Sequence, residues 1–332
     1  MDGQGTTTVA DVGELKLIAR LRARIGAAPG AEVWAGDDTA VLLPRGPTVL
    51  LTTDLLVEGV DFDTTYCTGA DVGWKALAAN ASDVAAMCGR PTHAVVALGL
   101  PPVTPVEFVD EFLDGLLEAA ARWDVSVVGG DISAAGEISA TVSILGNPVS
   151  DAAVLRSGAR PGDAICVTGA LGGAAAGLIG LRRGLGADIG PAAQRVLERQ
   201  LRPYARVDEA AVLARFEPSA MIDISDGLAV DLEHILDASR AGCIVDIDAV
   251  PVDPDIAVIA GADPLVLAVT GGEDFELLFT MDVDRAGAAA EALRATGTPM
   301  TTIGTVTTGE RRIGRRSLEE WRQDGWEHLR HR

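Results

Sequence analysis

Short apolar runs that lead into small polar residues recur along the chain, and they predict strands followed by polar turns. The pattern is clearest from Ala220 to Asp226, where an apolar run meets Asp223, Ser225 and Asp226. It predicts a strand, a tight turn and a helix that begins near Ser225. In α/β folds, ligands bind at the carboxyl ends of strands. A helix N-terminus at this place would also offer backbone N–H groups to an anion.

Acidic residues recur in the same setting elsewhere, beside glycine or threonine. The further examples are Gly36-Asp37-Asp38, Thr52-Thr53-Asp54 after Val49-Leu50-Leu51, Gly129-Gly130-Asp131 after Val127-Val128, and Gly271-Gly272-Glu273-Asp274 after residues 265–269. Any one of these acids could be a turn former, a helix cap or a surface charge. Their repeated position at the ends of apolar runs favours a common site. Since Mg²⁺ takes oxygen ligands together with substrate phosphates, the acids predict a site for magnesium and phosphate.

Periodicity predicts helices and strands in both halves of the chain. Asp11 and Glu14 predict a capping box that opens a first helix. An apolar stripe at helical spacing runs from Trp74 to Cys88, with Asp83 beside it. Further helices are predicted over residues 105–117, 228–239 and 284–295, and strands over residues 137–145, 164–167, 243–247, 265–269, 276–279 and 302–306. Mixed strands and helices predict an α/β or α+β architecture, with a linker over residues 147–163.

Composition narrows the classes of partner. The chain has 332 residues, of which 48% are hydrophobic and 4% aromatic, so we expect an aliphatic core large enough for two domains. The formal net charge of −21 argues against nucleic acid and against an anionic membrane surface as partners. An acidic protein that handles phosphates must offset its own charge locally, and bound cations do this.

The cysteines and the termini indicate a reducing location. Cys67, Cys88, Cys166 and Cys243 are widely spaced and form no Cys-x-x-Cys pair, which argues against a zinc site. No basic and apolar leader opens the sequence, and no apolar run approaches the roughly 18 residues of a membrane span. The expected location is the cytoplasm.

A glycine-rich loop, Thr168-Gly-Ala-Leu-Gly-Gly173, follows the strand predicted at residues 164–167. The loop resembles a turn that cradles phosphate, although it lacks the Gly-Lys-Ser/Thr of a P-loop. Its glycines would equally allow a helix to pack closely on a strand. The sequence leaves these two interpretations open.

Seven segments together resemble the thiamine-monophosphate kinase family, in that family's order and over about residues 10–330. They are Gly36-Asp-Asp-Thr-Ala-Val41, Thr52 to Phe62, Trp74 to Met87, Gly129-Gly-Asp131, Arg156 to Asp163, Ile222-Asp-Ile-Ser-Asp-Gly-Leu228 and Gly271-Gly-Glu-Asp-Phe-Glu-Leu277. Singly, a Gly-Gly-Asp or a Gly-Asp-Asp means little. The combination of all seven is specific.

The resemblance implies a two-domain fold like that of aminoimidazole ribonucleotide synthetase. Residues 1–147 would form an ATP- and magnesium-binding half-barrel that dimerises, and residues 148–332 an α/β domain that completes the active site. The implied reaction converts thiamine monophosphate and ATP into thiamine diphosphate and ADP. The implied cofactors are several Mg²⁺ ions, and a requirement for K⁺ stays open. The implied partners are the two substrates and a second copy of the chain.

The resemblance also implies a role for individual residues of this sequence, by their position in the matching segments. The implied magnesium ligands are Asp38, Thr52, Thr53, Asp54, Asp83, Asp131, Asp223 and Asp226. The implied ATP contacts are Gly130, Asp131, Arg156 and Ser225, and the implied substrate contacts are Asp61, Glu273 and Trp326. Because the attacking group is already a phosphate oxygen, no protein base is expected, and catalysis would consist mainly of alignment and charge neutralisation. Trp326 would either stack on the substrate or anchor the C-terminus.

The chain departs from the family at two places, and three rival interpretations remain. Ile132-Ser133 stands where the family more often has Thr residues after Gly-Gly-Asp, and little consequence is expected because Asp131 is retained. The family usually has His where this chain has Asp61, and the sequence leaves two interpretations of Asp61 open, a salt bridge to the thiazolium or aminopyrimidine or a side chain that faces solvent. Selenophosphate synthetase, a related enzyme, carries a reactive Cys or selenocysteine near its N-terminus, and residues 1–13 contain no Cys. The hydrogenase maturation factor ends in a thiol-bearing tail, whereas this sequence ends in His331-Arg332. A non-catalytic nucleotide-binding regulator would have lost metal-binding acids, and none is missing.

Overall fold

The computed structural model describes residues 6–26, 28, 30, 32, 34, 40–43, 45–186, 190–259, 261 and 263–323. Asp38 and Trp326 therefore lie outside the described residues. The chain divides into two compact units, residues 1–84 with 91–147 and residues 85–90 with 148–332. Among the described helices, none combines the length and the apolar character needed to cross a membrane.

The first unit has a four-stranded sheet accompanied by helices. Its helices are α1 (Val9–Val12), α2 (Glu14–Ile25), α3 (Gly69–Ala86) and α4 (Val106–Arg122), and its strands are β1 (Leu50–Val57), β2 (Gly89–Leu100), β3 (Ser126–Ala134) and β4 (Ser139–Pro148). The strand order is β1-β4-β2-β3, with β1 antiparallel to β4 and β2 parallel to β3. Every second residue of β4, including Val142 and Ile144, is buried, so one face of the sheet lies on the core.

Two helices of this unit pack so closely that glycine is required between them. A Cβ on Gly73 of α3 would overlap the carbonyl oxygen of Phe112 in α4, and a Cβ on Gly115 of α4 would overlap Ala70 of α3. The α4 residues around this contact, including Phe112 and Leu116, are buried. The close approach fixes α3, which carries Asp83, relative to the rest of the unit.

The second unit is built on a seven-stranded mixed sheet. Its helices are α5 (Gly173–Arg182), α6 (Pro191–Leu201), α7 (Val207–Leu213), α8 (Leu228–Ser239), α9 (Pro264–Thr270), α10 (Val283–Arg294) and α11 (Leu318–Arg322), and its strands are β5 (Ala164–Thr168), β6 (Ala220–Asp223), β7 (Gly242–Val245), β8 (Leu277–Met281), β9 (Met300–Thr307), β10 (Arg311–Ile313) and β11 (Arg316–Ser317). The strand order is β11-β10-β7-β9-β5-β8-β6. Strands β5, β6 and β8 are buried along their whole length, as expected where helices cover a sheet.

Most predicted elements are confirmed, and α8 has the predicted bounds. The strand predicted at residues 265–269 is wrong, because these residues form helix α9. Asp263 accepts hydrogen bonds from the N–H groups of Leu265 and Val266, and Pro264 occupies the first helical position. Such a cap favours a helix over a strand in a short apolar run.

The predicted first helix is also corrected. Its capping box joins Thr8 to Asp11 and opens the short helix α1, and Gly13 separates α1 from α2. Asp11 therefore serves as the acidic end of a capping box and not as its start. The mixed α/β class itself is confirmed.

The contact between α3 and α4 generates a stability prediction. We expect Gly73→Ala to lower the free energy of unfolding by about 1–3 kcal/mol, because overpacking forces the helices apart. Gly287→Ala is the matched control, since Gly287 lies inside helix α10 with nothing within 4 Å of an added Cβ. We expect that substitution to stabilise by about 0.5–1 kcal/mol. Thermal unfolding checks both, and equal effects of the two substitutions would contradict the packing argument.

Candidate active site

An acidic cluster lies in the first unit between strand β1 and helix α3. The hydroxyl of Thr52 donates a hydrogen bond to Oδ2 of Asp83. Thr52 and Asp54 are two residues apart on β1 and therefore share one face of the sheet. Asp54 also makes a hydrogen bond with Asp83. The structure thus brings Thr52, Asp54 and Asp83 together, as the sequence predicted.

The electrostatics of this cluster are unfavourable for two ionised carboxylates. Burial is the largest cause that raises the pKa of Asp54. Together with the negative charge of Asp83, the hydrogen bond with Asp83 and the charge of Asp61, it raises this pKa from 3.8 to about 7. A proton on Asp54 relieves the repulsion, and a bound cation would relieve it as well. Two carboxylates and a hydroxyl are also the oxygen donors that Mg²⁺ takes, so these residues fit that ion.

Thr53 points to the opposite face of β1. Its hydroxyl donates a hydrogen bond to the carbonyl oxygen of Val142 and accepts one from Ser143 on β4. Its side chain therefore does not join those of Thr52 and Asp54. The sequence also placed Thr52-Thr53-Asp54 after the end of a strand, whereas β1 extends to Val57 and holds all three in its middle.

Gly130 and Asp131 lie inside strand β3 and not beyond its end. A Cβ on Gly130 would overlap the carbonyl oxygen of Val96 on β2, so glycine is required for the two strands to approach. Both residues line a groove of about 720 Å³ whose other walls include Ile18 and Leu21 of helix α2. An apolar groove with a few polar groups is the usual character of a small-molecule site.

Asp61 closes the turn that follows β1. Its Oδ2 accepts a hydrogen bond from the N–H of Val57 at 2.9 Å, and its carbonyl oxygen accepts one from Nζ of Lys75 at 3.1 Å. Lys75 is buried on helix α3, which also carries Asp83. The hydrogen bond with Val57 gives the Asp61 side chain a structural role in this turn. The negative charge of Asp61 contributes to the raised pKa of Asp54.

The second unit carries a separate group of predicted residues at the end of strand β6. Asp223 is the last residue of β6 and is buried, and Ser225 and Asp226 follow in the turn before helix α8. The predicted strand, turn and helix are therefore confirmed. The helix begins at Leu228 and not near Ser225.

The backbone N–H groups of this turn do not face an open anion site. The N–H groups of Ser225, Asp226 and Gly227 all donate to Oδ2 of Asp231, at 3.1, 3.1 and 3.0 Å. The sequence predicted that such groups would be offered to a phosphate, and here the carboxylate of Asp231 takes that place. Carboxylate oxygens of Asp226 and Asp231 and a ring nitrogen of His234 lie within 4.8 Å of one another.

Asp231 has the most perturbed environment of this group. It is 1% exposed. Burial raises its pKa well above the usual 3.8, the charges of Asp223 and Asp226 raise it further, and the hydrogen bonds from Asp226 and Gly227 oppose the rise. The strand end therefore concentrates negative charge in the same way as the cluster of the first unit.

Glu273 lies beside this turn. Its N–H donates to the carbonyl oxygen of Ser225 at 2.8 Å, and the N–H of Phe275 donates to the carbonyl oxygen of Ile224 at 2.9 Å. Its side chain accepts a hydrogen bond from Nε2 of Gln200 at 2.5 Å. Glu273 also has a φ of 67°, in the left-handed region that non-glycine residues rarely adopt. The loop that carries Glu273 is thus held in register with the turn that carries Asp226.

The glycine-rich loop before helix α5 is explained by packing. The N–H groups of Gly172 and Ala174 donate to the carboxylate of Asp274, at 2.6 and 3.1 Å. A Cβ on Gly172 would come within 2.7 Å of the backbone nitrogen of Ala268. Because an internal carboxylate caps the helix and its glycines touch neighbouring elements, the structure favours the close-packing interpretation over a phosphate cradle.

Arg156 is exposed at the start of the second unit. Its carbonyl oxygen accepts a hydrogen bond from the hydroxyl of Ser239, at the end of helix α8. The preceding residue, Leu155, accepts a hydrogen bond from the N–H of Met221 on β6. The segment is therefore attached to the two elements that flank the turn of Ser225 and Asp226.

Comparisons with known proteins identify the family. The sequence matches the AIR synthase related protein, N-terminal domain, over residues 36–147 and the C-terminal domain over residues 160–315. The thiamine-monophosphate kinase of Salmonella typhimurium is 40% identical over 295 residues, or 88% of this chain and 90% of that protein. The crystal structure of thiamine-monophosphate kinase from Stenotrophomonas maltophilia K279a has a TM-score of 0.80 at 34% identity, covering 90% of this chain and 95% of that one. This chain belongs to the thiamine-monophosphate kinase family.

The resemblance inferred from the sequence is thereby confirmed, together with the AIR synthase fold. As a thiamine-monophosphate kinase the chain is an enzyme that phosphorylates a phosphate acceptor. A further solved structure, AaThiL complexed with AMPPCP and TMP, has a TM-score of 0.75 at 33% identity, and the match covers 95% of this chain and 98% of that one.

Sequence reasoning missed two side chains of this kinase. Asp231 stands in the first turn of helix α8, where an acid commonly binds backbone N–H groups, and this position could have indicated its role. Gln200 gave no signal, because it lies on helix α6, far along the chain from Glu273.

The raised pKa of Asp54 generates a prediction for the protein kept free of divalent cations with a chelator. Protonated Asp54 stabilises the fold at low pH, and this contribution is lost as the pH rises from about 4 to about 7. Asp54→Asn is neutral at every pH and should raise the melting temperature at about pH 8 and raise it much less at about pH 5.

Asp151→Asn is the control, because residue 151 is exposed and the substitution should have little effect at either pH. Melting curves of the three proteins at both pH values make the comparison. If Asp54→Asn changed the melting temperature equally at both, the assignment of the raised pKa to Asp54 would be wrong.

Proposed function

We propose that this enzyme transfers the γ-phosphoryl group of ATP directly to the phosphate of thiamine monophosphate, giving thiamine diphosphate and ADP. The observation that carries the proposal is the pair of acidic groups, one in each unit, which include acids that the family resemblance implies as metal ligands. The relative AaThiL was solved with AMPPCP, an analogue of ATP, and with TMP, which supports the choice of substrates.

The acids are proposed to hold several Mg²⁺ ions. In the first unit the proposed ligands are Thr52, Asp54, Asp83 and Asp131. In the second unit they are Asp223 and Asp226. Asp38 and the backbone of Thr53 are further candidates. Magnesium would neutralise charge on the phosphates of two polyanions that otherwise repel each other. The crowding of carboxylates around Asp54 and Asp231 supports this assignment, since it disfavours the ionised acids when no cation is bound.

The reaction is proposed to need no general base from the protein. The attacking atom is an oxygen of a phosphate that is already ionised near neutral pH, so no proton has to be removed. The side chains then act by holding the two substrates in line for the transfer and by preventing other orientations of the substrates. Asp54 is poorly suited to act as a base while it serves as a metal ligand.

Gly130, Asp131, Arg156 and Ser225 are proposed to contact ATP. The groove beside Gly130 and Asp131 supports this role, because it offers the apolar walls that a purine base needs next to polar groups. Arg156 is exposed and can present its guanidinium group to a phosphate.

Glu273, Asp61 and Trp326 are the proposed contacts for the thiamine part of the substrate. Glu273 is held by Gln200 and by the backbone of Ser225, which gives its carboxylate a defined direction toward a cationic or hydrogen-donating ring. Asp61 has one oxygen engaged with the N–H of Val57, so its part in substrate recognition is proposed to be electrostatic.

A homodimer through the first unit is also proposed. Strand β2 is interior to the sheet, so the apolar residues 95–100 offer no free edge to a second copy. The support comes instead from the edge strand β1, where Leu51 is 72% and Leu55 54% exposed. An apolar edge strand of this kind normally finds a partner.

Substrate choice tests the proposed reaction. We expect phosphorylation of thiamine monophosphate but not of free thiamine. A hydroxyl nucleophile would need a positioned base, and loss of the phosphate removes both the nucleophile and the metal-binding anchor. Chromatography of products after incubation with ATP, Mg²⁺ and each substrate makes the measurement. Thiamine diphosphate formed from free thiamine, or no ADP released with the monophosphate, would refute the proposal.

Light scattering tests the dimer. We expect twice the monomer mass of 34.3 kDa at micromolar concentration. Leu51→Glu should shift the mass toward the monomer, because it places a charge on the outer face of β1. Val283→Glu is the control, since Val283 is 62% exposed in the second unit and should leave the mass unchanged. A monomer mass for the unsubstituted chain would exclude this assembly.

A further inference from the structure

One oxygen atom of Asp231 collects three consecutive backbone N–H groups. Those of Ser225, Asp226 and Gly227 converge on Oδ2 at 3.0–3.1 Å. A buried carboxyl oxygen depends on such hydrogen bonds more than an exposed one, because no water replaces them. The conformation of this turn is therefore fixed by a side chain that lies beyond it in the sequence.

This arrangement differs from an ordinary helix cap. In a capping box the acid at the third helical position reaches back to the N–H of the capping residue alone. Asp231 is the fourth residue of α8, and two of its three donors, Ser225 and Asp226, precede the capping residue Gly227. The bonds serve the turn as much as the helix.

The same turn also holds the loop that carries Glu273. The carbonyl oxygen of Ser225 accepts the N–H of Glu273, and the backbone of Ile224 is bonded on both sides, to Phe275 and Glu276. A Cβ on Gly272 would overlap the carbonyl oxygen of Ser225, so the two segments are in direct contact. A displacement of the turn would therefore move both Asp226 and Glu273.

We propose that Asp231 is a positioning residue that presets the turn of Ser225 and Asp226, and through Ser225 the backbone of Glu273, before metal or substrate binds. This inference rests on the proposed function, which makes Asp226 a metal ligand and Glu273 a substrate contact. The proposal gives Asp231 no contact with either reacting group. Its role is to supply an acceptor at one point in space.

Charge and position can be separated by substitution. Asp231→Asn removes the charge but keeps an acceptor oxygen of the same reach. Asp231→Glu keeps the charge but displaces the acceptor by one methylene, and Asp231→Ala removes both. Asp237→Asn is the control on the same helix, because the Asp237 side chain is 64% exposed and pairs with Arg311.

The measurements are Mn²⁺ binding followed by electron paramagnetic resonance, and KM for thiamine monophosphate against kcat. Mn²⁺ serves as the probe for the magnesium site, and Asp226→Asn provides the benchmark for a lost ligand. We expect Asp231→Ala to weaken Mn²⁺ binding and to raise KM, each by about 10–100-fold, as is usual when a group that orients a metal ligand is removed. Asp231→Asn should recover most of both losses, and Asp231→Glu should not.

Equal losses in Asp231→Asn and Asp231→Ala would mean that charge alone matters and would overturn the proposal. Unchanged Mn²⁺ binding and KM in variants that melt at lower temperature would overturn it too, since that pattern belongs to a purely structural residue. If Asp231→Ala does not fold, the Asn and Glu variants decide between position and charge. An unsubstituted enzyme that fails to use thiamine monophosphate would refute the proposed function, whereas the Mn²⁺ comparison would still test Asp231.

Discussion

The structure depends on holding carboxylates of like charge close together where water is scarce. Asp54 lies beside Asp83, and Asp231 lies near Asp223 and Asp226, and in both places the pKa of one acid is raised by burial and by its neighbours. Repulsion between buried charges is strong because little solvent screens it. The fold must therefore supply a proton, a set of N–H donors or a cation at each cluster.

The two units meet this constraint in different ways. In the first unit Thr52 donates to Asp83, and Asp54 takes up a proton more readily than an ordinary aspartate. In the second unit three backbone N–H groups converge on Asp231. In the proposed function, sites of this kind suit a kinase that brings two polyanions together, because cations that accompany the phosphates would neutralise the clustered acids.

The sequence predicted much of this, and the failures have physical causes. Apolar periodicity located α8 and most strands, and the family resemblance located the acids. Periodicity could not show that β1 continues through Thr52-Thr53-Asp54, because polar residues after an apolar run are also typical of a turn. In the structure these residues pair with β4 like the rest of the strand. It also missed α9, where the cap at Asp263 outweighs the apolar run. The contact of Gln200 with Glu273 joins distant parts of the chain and has no local signature.

Calorimetric titration of the metal-free enzyme with Mg²⁺, in two buffers of different ionisation enthalpy at about pH 6, tests the central claim most directly. A carboxyl group with a pKa of about 7 carries a proton at this pH and must release it when a cation binds. The account predicts net proton release on binding by the unsubstituted enzyme and a smaller release by Asp54→Asn. Binding without proton release, or the same release from both proteins, would contradict it.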